Sequence, residues 1–213
     1  MKRIKPNSYY IDTHTYNNNT KYILHHYIDV WRDDLDRFSI DEFVIDYGGI
    51  CFEDAIWCGV AAVERETYVP ISANEYNRWR DMINNTKERI ISLGLNNSQP
   101  LLRKPIAGDY LFVCEEADPE YDYYYYEFNK ILEVDDESYK TESLIASKYE
   151  LMSHKRKVRF RGEDDEIEMI NQSQLIDKQV YIQAANIIKD VSAMLIDEIK
   201  KSFNRDPAGL NHL

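Results

Sequence analysis

The chain has 213 residues, 44% of them hydrophobic, which suffices for one sizeable core or two small ones and argues against wholesale disorder. Its formal net charge of −12 repels phosphate, so a broad face for nucleic acid is excluded. No apolar run approaches the roughly 20 residues of a membrane-spanning helix, and the basic start Met1-Lys2-Arg3 leads into polar residues rather than an apolar signal segment.

The first part of the chain reads as strands. In residues 21–30, Tyr22, Leu24, His26, Ile28 and Val30 fall on one face at period two. Residues 38–47 are a second apolar run, closed by the turn signal Gly48-Gly49. Residues 50–63 are apolar and small, and periodicity leaves a buried strand pair and a short helix both open. Residues 64–71 alternate again and reach Pro70.

Ser72-Ala73-Asn74-Glu75 is a capping box. Behind it Tyr76, Trp79, Ile83, Thr86, Ile90 and Leu93 make one helical stripe, which predicts a helix over 72–93, about 30 Å long. Gly94 is the expected left-handed stop. Residues 95–107, with Asn96-Asn97-Ser98-Gln99-Pro100 and Pro105, read as a linker.

Beyond it, 108–114 and 121–134 read as strands, 135–138 as a turn and 139–146 as the returning strand. Residues 157–161 and 166–170 form a candidate hairpin around Gly162. Five short strands of this kind suit a strongly curved sheet or an SH3-like barrel. Asp177 then caps a second helix over 177–203, with the stripe Val180, Ala184, Ile187/Ile188, Val191, Leu195 and Ile199.

The fold expected is α+β: antiparallel strand-rich blocks, the second with the barrel as an option, each followed by a long amphipathic helix. The domains expected are 1–94, a linker at 95–107, and 108–213; the alternative is a single α+β domain over 1–213. The halves share an element order without a visible residue-by-residue alignment.

Few residues suggest catalysis. Cys51, Cys58 and Cys114 form no C-x-x-C and read as buried thiols of a reducing compartment. Asp12, His14, His25, His26 and Asp29 have the donor chemistry of a metal-dependent hydrolase. The adjacent histidines, however, point to opposite faces of a strand, one expected inside and one exposed. There is no nucleophile elbow and no glycine-rich phosphate loop. No catalytic residue, cofactor or metal ligand is therefore assigned.

Two surface features stand out. Tyr123, Tyr124, Tyr125 and Tyr126 put two phenols on each face of a strand, rimmed by acids, an interface-like composition. Lys155, Arg156, Lys157, Arg159 and Arg161 form one basic run. It stands against acidic stretches: residues 108–148 hold twelve acids and three bases, residues 29–54 nine acids and two bases. Opposite patches on one chain suit contacts with other protein subunits, including copies of itself.

The expectation is a non-enzymatic structural or adaptor subunit of a larger assembly, without membrane or direct nucleic-acid contact. The Tyr-, Asn-, Asp-, Ile- and Lys-rich composition suggests AT-rich coding and hence a phage particle (neck, tail or capsid-associated). The location expected is the cytoplasm of the producing cell, or the virion. The alternatives are an acidic inhibitor or immunity-type protein blocking a basic partner, and the hydrolase.

Overall fold

The computed structural model describes residues 4–16, 19–31, 37–46, 49–58, 67–118, 123–135, 138–147, 150–159 and 172–203. They form an α+β protein with eleven antiparallel strands and two helices. Two compact units divide the chain. The first holds residues 1–83 and 191–213, the second residues 84–190, so the division falls inside each helix.

In the first unit β1 (Ser8–Tyr16), β2 (Asn19–Trp31), β3 (Arg37–Asp46) and β4 (Gly49–Cys58) follow one another as an antiparallel meander. The register Tyr16↔Asn19 leaves Asn17 and Asn18 for the first connection, and Asp46↔Gly49 leaves Tyr47 and Gly48 for another. The short β5 (Val69–Pro70) then returns to the far side of β1, giving the order β5-β1-β2-β3-β4. Helix α1 (Ala73–Asn96) follows at once. Its capping box is formed: Ser72 N donates to Glu75 Oε2 at 3.1 Å and Glu75 N donates to Ser72 Oγ at 3.2 Å.

The second unit repeats this plan. The strands β7 (Tyr110–Asp118), β8 (Tyr123–Val134), β9 (Ser138–Ser147) and β10 (Glu150–Arg159) form a second meander. A short β11 (Ser173–Ile176) returns to the far side of β7, and α2 (Lys178–Phe203) follows. One strand is additional: β6 (Ser98–Pro100), just past α1, pairs with β11 and completes the order β10-β9-β8-β7-β11-β6.

Registers make the correspondence specific. Val69↔Ile11 and Pro70↔Tyr10 in the first unit match Gln174↔Phe112 and Leu175↔Leu111 in the second. A bulge interrupts β2–β3 between Tyr27 and Asp29; its counterpart interrupts β8–β9 between Ile131 and Glu133. The skipped residues, Ile28 and Leu132, are both solvent-exposed aliphatics. Asn7 (φ 57°) and Gly108 (φ 95°) stand at the same place before the first strand of each unit. On the outer face of each meander lies a small core: Ile4, Tyr10, Tyr27 and Ile40 in one, Leu101, Leu111, Ile131 and Tyr139 in the other. On the helix side Tyr76, Trp79, Ile83 and Ile90 of α1 and Tyr181, Ala184, Ile188 and Leu195 of α2 are buried at matching positions.

Several sequence expectations change. Strand β1 carries no clean alternation and is not foreseen; Tyr10, Ile11 and Asp12 are buried in succession because both faces of this strand are covered. Residues 50–58 resolve as strand β4, while 59–66 lie outside the described residues. Ile28 does not continue the inward row of β2, because the bulge turns it out. Residues 95–107 include β6, and Leu101 N donates to Ser173 O at 3.3 Å. The pairings do not confirm an SH3-like barrel: they link six strands in a row, and none joins β10 to β6 among the described residues. The basic run lies on β10, whose partner is β9; residues 160–171, and with them the hairpin expected around Gly162, lie outside the described residues.

Gly94 does not stop α1, which runs two residues further. A Cβ built on Gly94 would lie 2.3 Å from Cε2 of the buried Phe112, so glycine serves close approach of helix and sheet. Gly94→Ala is expected to lower the unfolding free energy in urea by about 1–3 kcal/mol. Adding Phe112→Leu should return part of the loss. Unchanged stability in the single variant would show that helix and ring are not in this contact.

Candidate functional site

The densest polar chemistry on the helix side of each sheet gathers under the first turn of the helix. In the first unit Tyr76, the fourth residue of α1, is fully buried and meets Tyr9 of β1 with ring centroids 5.2 Å apart. His26 of β2 stacks on Tyr9 (4.4 Å, 11° between planes) and lies 5.4 Å from Tyr76. Its register partner on β3 is Asp41, with Nδ1 and Oδ2 3.6 Å apart. Its Nε2 lies 3.5 Å from Asn7 Oδ1. Burial lowers the pKa of His26; Asp41 opposes this, and Arg80 of α1 adds to it.

The second unit builds the same seat from other residues. Tyr181 is again the fourth residue of its helix and meets Tyr110 of β7 at 5.3 Å. Lys130 takes the place of His26 and Glu142 that of Asp41, with Nζ and Oε2 3.3 Å apart. The polar accounts differ. Tyr181 Oη donates to the Glu142 carbonyl at 3.0 Å, whereas Tyr76 Oη, also buried, has no hydrogen-bond partner. Burial raises the pKa of both phenols, so both are neutral O–H groups at any ordinary pH.

The expected interaction residues belong to the second unit. Tyr125 and Tyr126 are half-buried on β8, and the Tyr126 ring stacks over Phe112 at 6.1 Å. At least this phenol is thus partly engaged by its own sheet. The side chains of Tyr123 and Tyr124 lie outside the described residues, as do those of Arg156 and Arg159 and the whole of Arg161. Lys155 and Lys157 are exposed on β10. Lys155 stands opposite Glu142 in register, and Lys157 Nζ lies 3.6 Å from Asp135 Oδ2. With Lys140–Glu133 on β9 and β8, these contacts set part of the basic strand against acids of its own sheet. β10 and β8 are separated by β9, so basic strand and tyrosine strand lie two strand spacings apart, about 10 Å.

The histidine cluster divides as strand geometry requires. His25 faces the outer side with Tyr27 and Tyr68, and His26 faces the helix side. Contrary to expectation neither is exposed: His25 is 6% accessible and the His26 side chain 14%, because both faces of β2 are covered. His25 Nδ1 lies 3.2 Å from Glu42 Oε2, yet neither ring nitrogen has hydrogen-bond geometry with a partner. Asp12 is buried; burial raises its pKa, but hydrogen bonds from Thr67, the Thr13 amide and His14 outweigh this and hold it low. Among the described residues no three His, Cys, Asp or Glu side chains are placed to hold a metal ion. Cys51 and Cys114 form no disulfide, and burial raises the Cys114 thiol. No described helix is long and apolar enough to cross a membrane.

Sequence reading missed the two helix seats because their residues come from four elements each. The only local signal is a tyrosine at the fourth position of both helices. No protein-family model matches the chain, and no curated protein or solved structure was found that matches it.

The two buried phenols should respond oppositely to loss of the hydroxyl. Tyr181→Phe removes a hydrogen bond and is expected to cost about 1 kcal/mol. Tyr76→Phe removes an unpartnered buried hydroxyl and is expected to be neutral or to stabilise by about 1 kcal/mol. Chemical denaturation of both variants checks this; equal losses would mean that Tyr76 Oη has an acceptor.

Proposed function

We propose that the chain is a non-enzymatic structural or adaptor subunit that docks onto other protein subunits, copies of itself included. The observation that carries this reading is a run of exposed aliphatic side chains beside a sheet edge. Leu95, Leu102 and Ile106 are 52%, 91% and 57% accessible, and they flank β6, which pairs on one side only among the described residues. An edge strand with unprotected apolar neighbours is a ready site for another chain. The exposed Lys155 and Lys157, on a chain of net charge −12, add an attractive term between copies. The setting we propose is a phage particle (neck, tail or capsid-associated), for which the composition is the only support. The finer arrangement, two strand-rich blocks each followed in sequence by a long helix, belongs to the same proposal.

Light scattering on the purified chain tests it. The expected result is a mass above one chain, falling toward the monomer in Leu102→Asp with Ile106→Asp while far-UV circular dichroism is unchanged. Arg156→Glu with Arg159→Glu should weaken the same association if the basic strand contributes. A wild-type monomer at all concentrations would overturn self-assembly. A monomer that instead forms a salt-sensitive complex with a basic protein would support the acidic-inhibitor reading.

A further inference from the structure

We infer that His26 makes the seat of α1 sensitive to protons: protonation of its buried ring loosens the first turns of α1, while the matching seat of α2 is indifferent. The argument starts from the repeat. Position for position, the second unit holds Lys130, a permanent cation, paired with Glu142 at 3.3 Å. Where α1 carries Arg80 one turn beyond Tyr76, α2 carries Ala185. The second seat therefore contains the pair Lys130 and Glu142, with Lys155 of β10 opposite Glu142 in register, and its phenol is hydrogen-bonded. The first contains a titratable ring, one acid and an additional cation, with its phenol unpartnered.

The groups that bear on His26 come from every element around it. Asn7 precedes β1 and Tyr9 lies on β1; Asp41 stands opposite on β3; Tyr76 and Arg80 come down from α1. Glu42, the next residue on β3, stands opposite His25 and contacts it on the other face. Asp41 favours a proton on His26, but at 3.6 Å it is beyond hydrogen-bond distance of Nδ1. Burial between two tyrosine rings, the charge of Arg80 and the positive end of α1 all disfavour it.

The sign follows. Burial and Arg80 hold the folded pKa of His26 below the usual 6.5, so folding favours the neutral ring. The associated stability is fully present above pH 6.5 and is lost as pH falls through the lower folded value.

The full chain carries its own control. Hydrogen exchange followed by mass spectrometry at pH 7.5 and pH 5, corrected for intrinsic rates, reads the amides of 76–83 against those of 181–188. Protection of the first segment is expected to fall about three- to tenfold relative to the second. His26→Gln, which cannot take up a proton, should abolish the difference and so separate His26 from His14 and His25. Parallel behaviour of the two segments overturns the inference, as does a difference that persists in His26→Gln. If that variant fails to fold, an NMR titration of the His26 ring in the wild-type chain decides: a midpoint below 6.5 supports the switch, and one at or above 6.5 overturns it.

Discussion

Each helix is fixed to its sheet through one aromatic contact in its first turn. Tyr76 on Tyr9 and Tyr181 on Tyr110 set where the helix begins along the strand and which stripe then faces inward. A helix 24 or 26 residues long amplifies a small change in entry position into a large shift at its far end. The short strand before each helix serves the same end: Ile71 N donates to Tyr9 O at 3.0 Å, tying the helix entry to the strand that carries the tyrosine. Two rings and a cross-strand polar pair thus hold the joint between β and α layers in each unit. Most of the stabilisation comes from the buried rings, since half-exposed ion pairs such as Lys130–Glu142 contribute little.

Local order was legible where the sequence carries a local signal. The capping box, both helical stripes and the strands around 21–30, 38–47, 121–134 and 139–146 depend on neighbours within a few residues, and the structure contains them. The repeat was legible as a shared element order, but its residue-by-residue correspondence was not, for a metric reason. Tyr9 to Tyr110 is a shift of 101 positions, Tyr22 to Tyr126 is 104, and Tyr76 to Tyr181 is 105. The offset is 101 for β1, β3 and β4, 104 for β2 and 105 for β5 and α1, so no single displacement brings the halves into alignment. Strand register, a long-range property, is what aligns them. Gly94 shows the same limit from the other side. A glycine near a helix end has two explanations, a left-handed stop and a close neighbour, and only Phe112 decides between them.

The surface features singled out from sequence have a partly internal use. Alternation on β8 brings Tyr126 over Phe112, cross-strand pairing puts Lys155 opposite Glu142, and Lys157, opposite Lys140 in register, has its Nζ 3.6 Å from Asp135 Oδ2. A basic strand in an acidic sheet lowers repulsion among carboxylates that would otherwise face one another across neighbouring strands. The more telling surface signal, Leu102 with Ile106 and Leu95, lies in a stretch whose asparagines and prolines read as linker. Composition there describes the backbone, whereas the exposure of three aliphatic side chains is visible only once the strand beside them is placed.

Having two versions of one scaffold separates what the fold needs from what this chain adds. At the position of His25 opposite Glu42, the second unit has Asn129 opposite Ser143, buried, with Ser143 Oγ donating to Asn129 Oδ1 at 2.6 Å. Asp12 and His14 correspond to Val113 and Glu115, and Tyr10 and Tyr27 to Leu111 and Ile131. The outer face of the second meander is therefore closed by aliphatic groups, Tyr139, a neutral, mutually bonded pair and the buried carboxylate of Glu127, and it supports the same strand order and the same bulge. A buried imidazole next to a carboxylate is a costlier way to fill that position than an amide next to a hydroxyl. Because the scaffold stands without them, Asp12, His14, His25 and Glu42 are not demanded by the architecture.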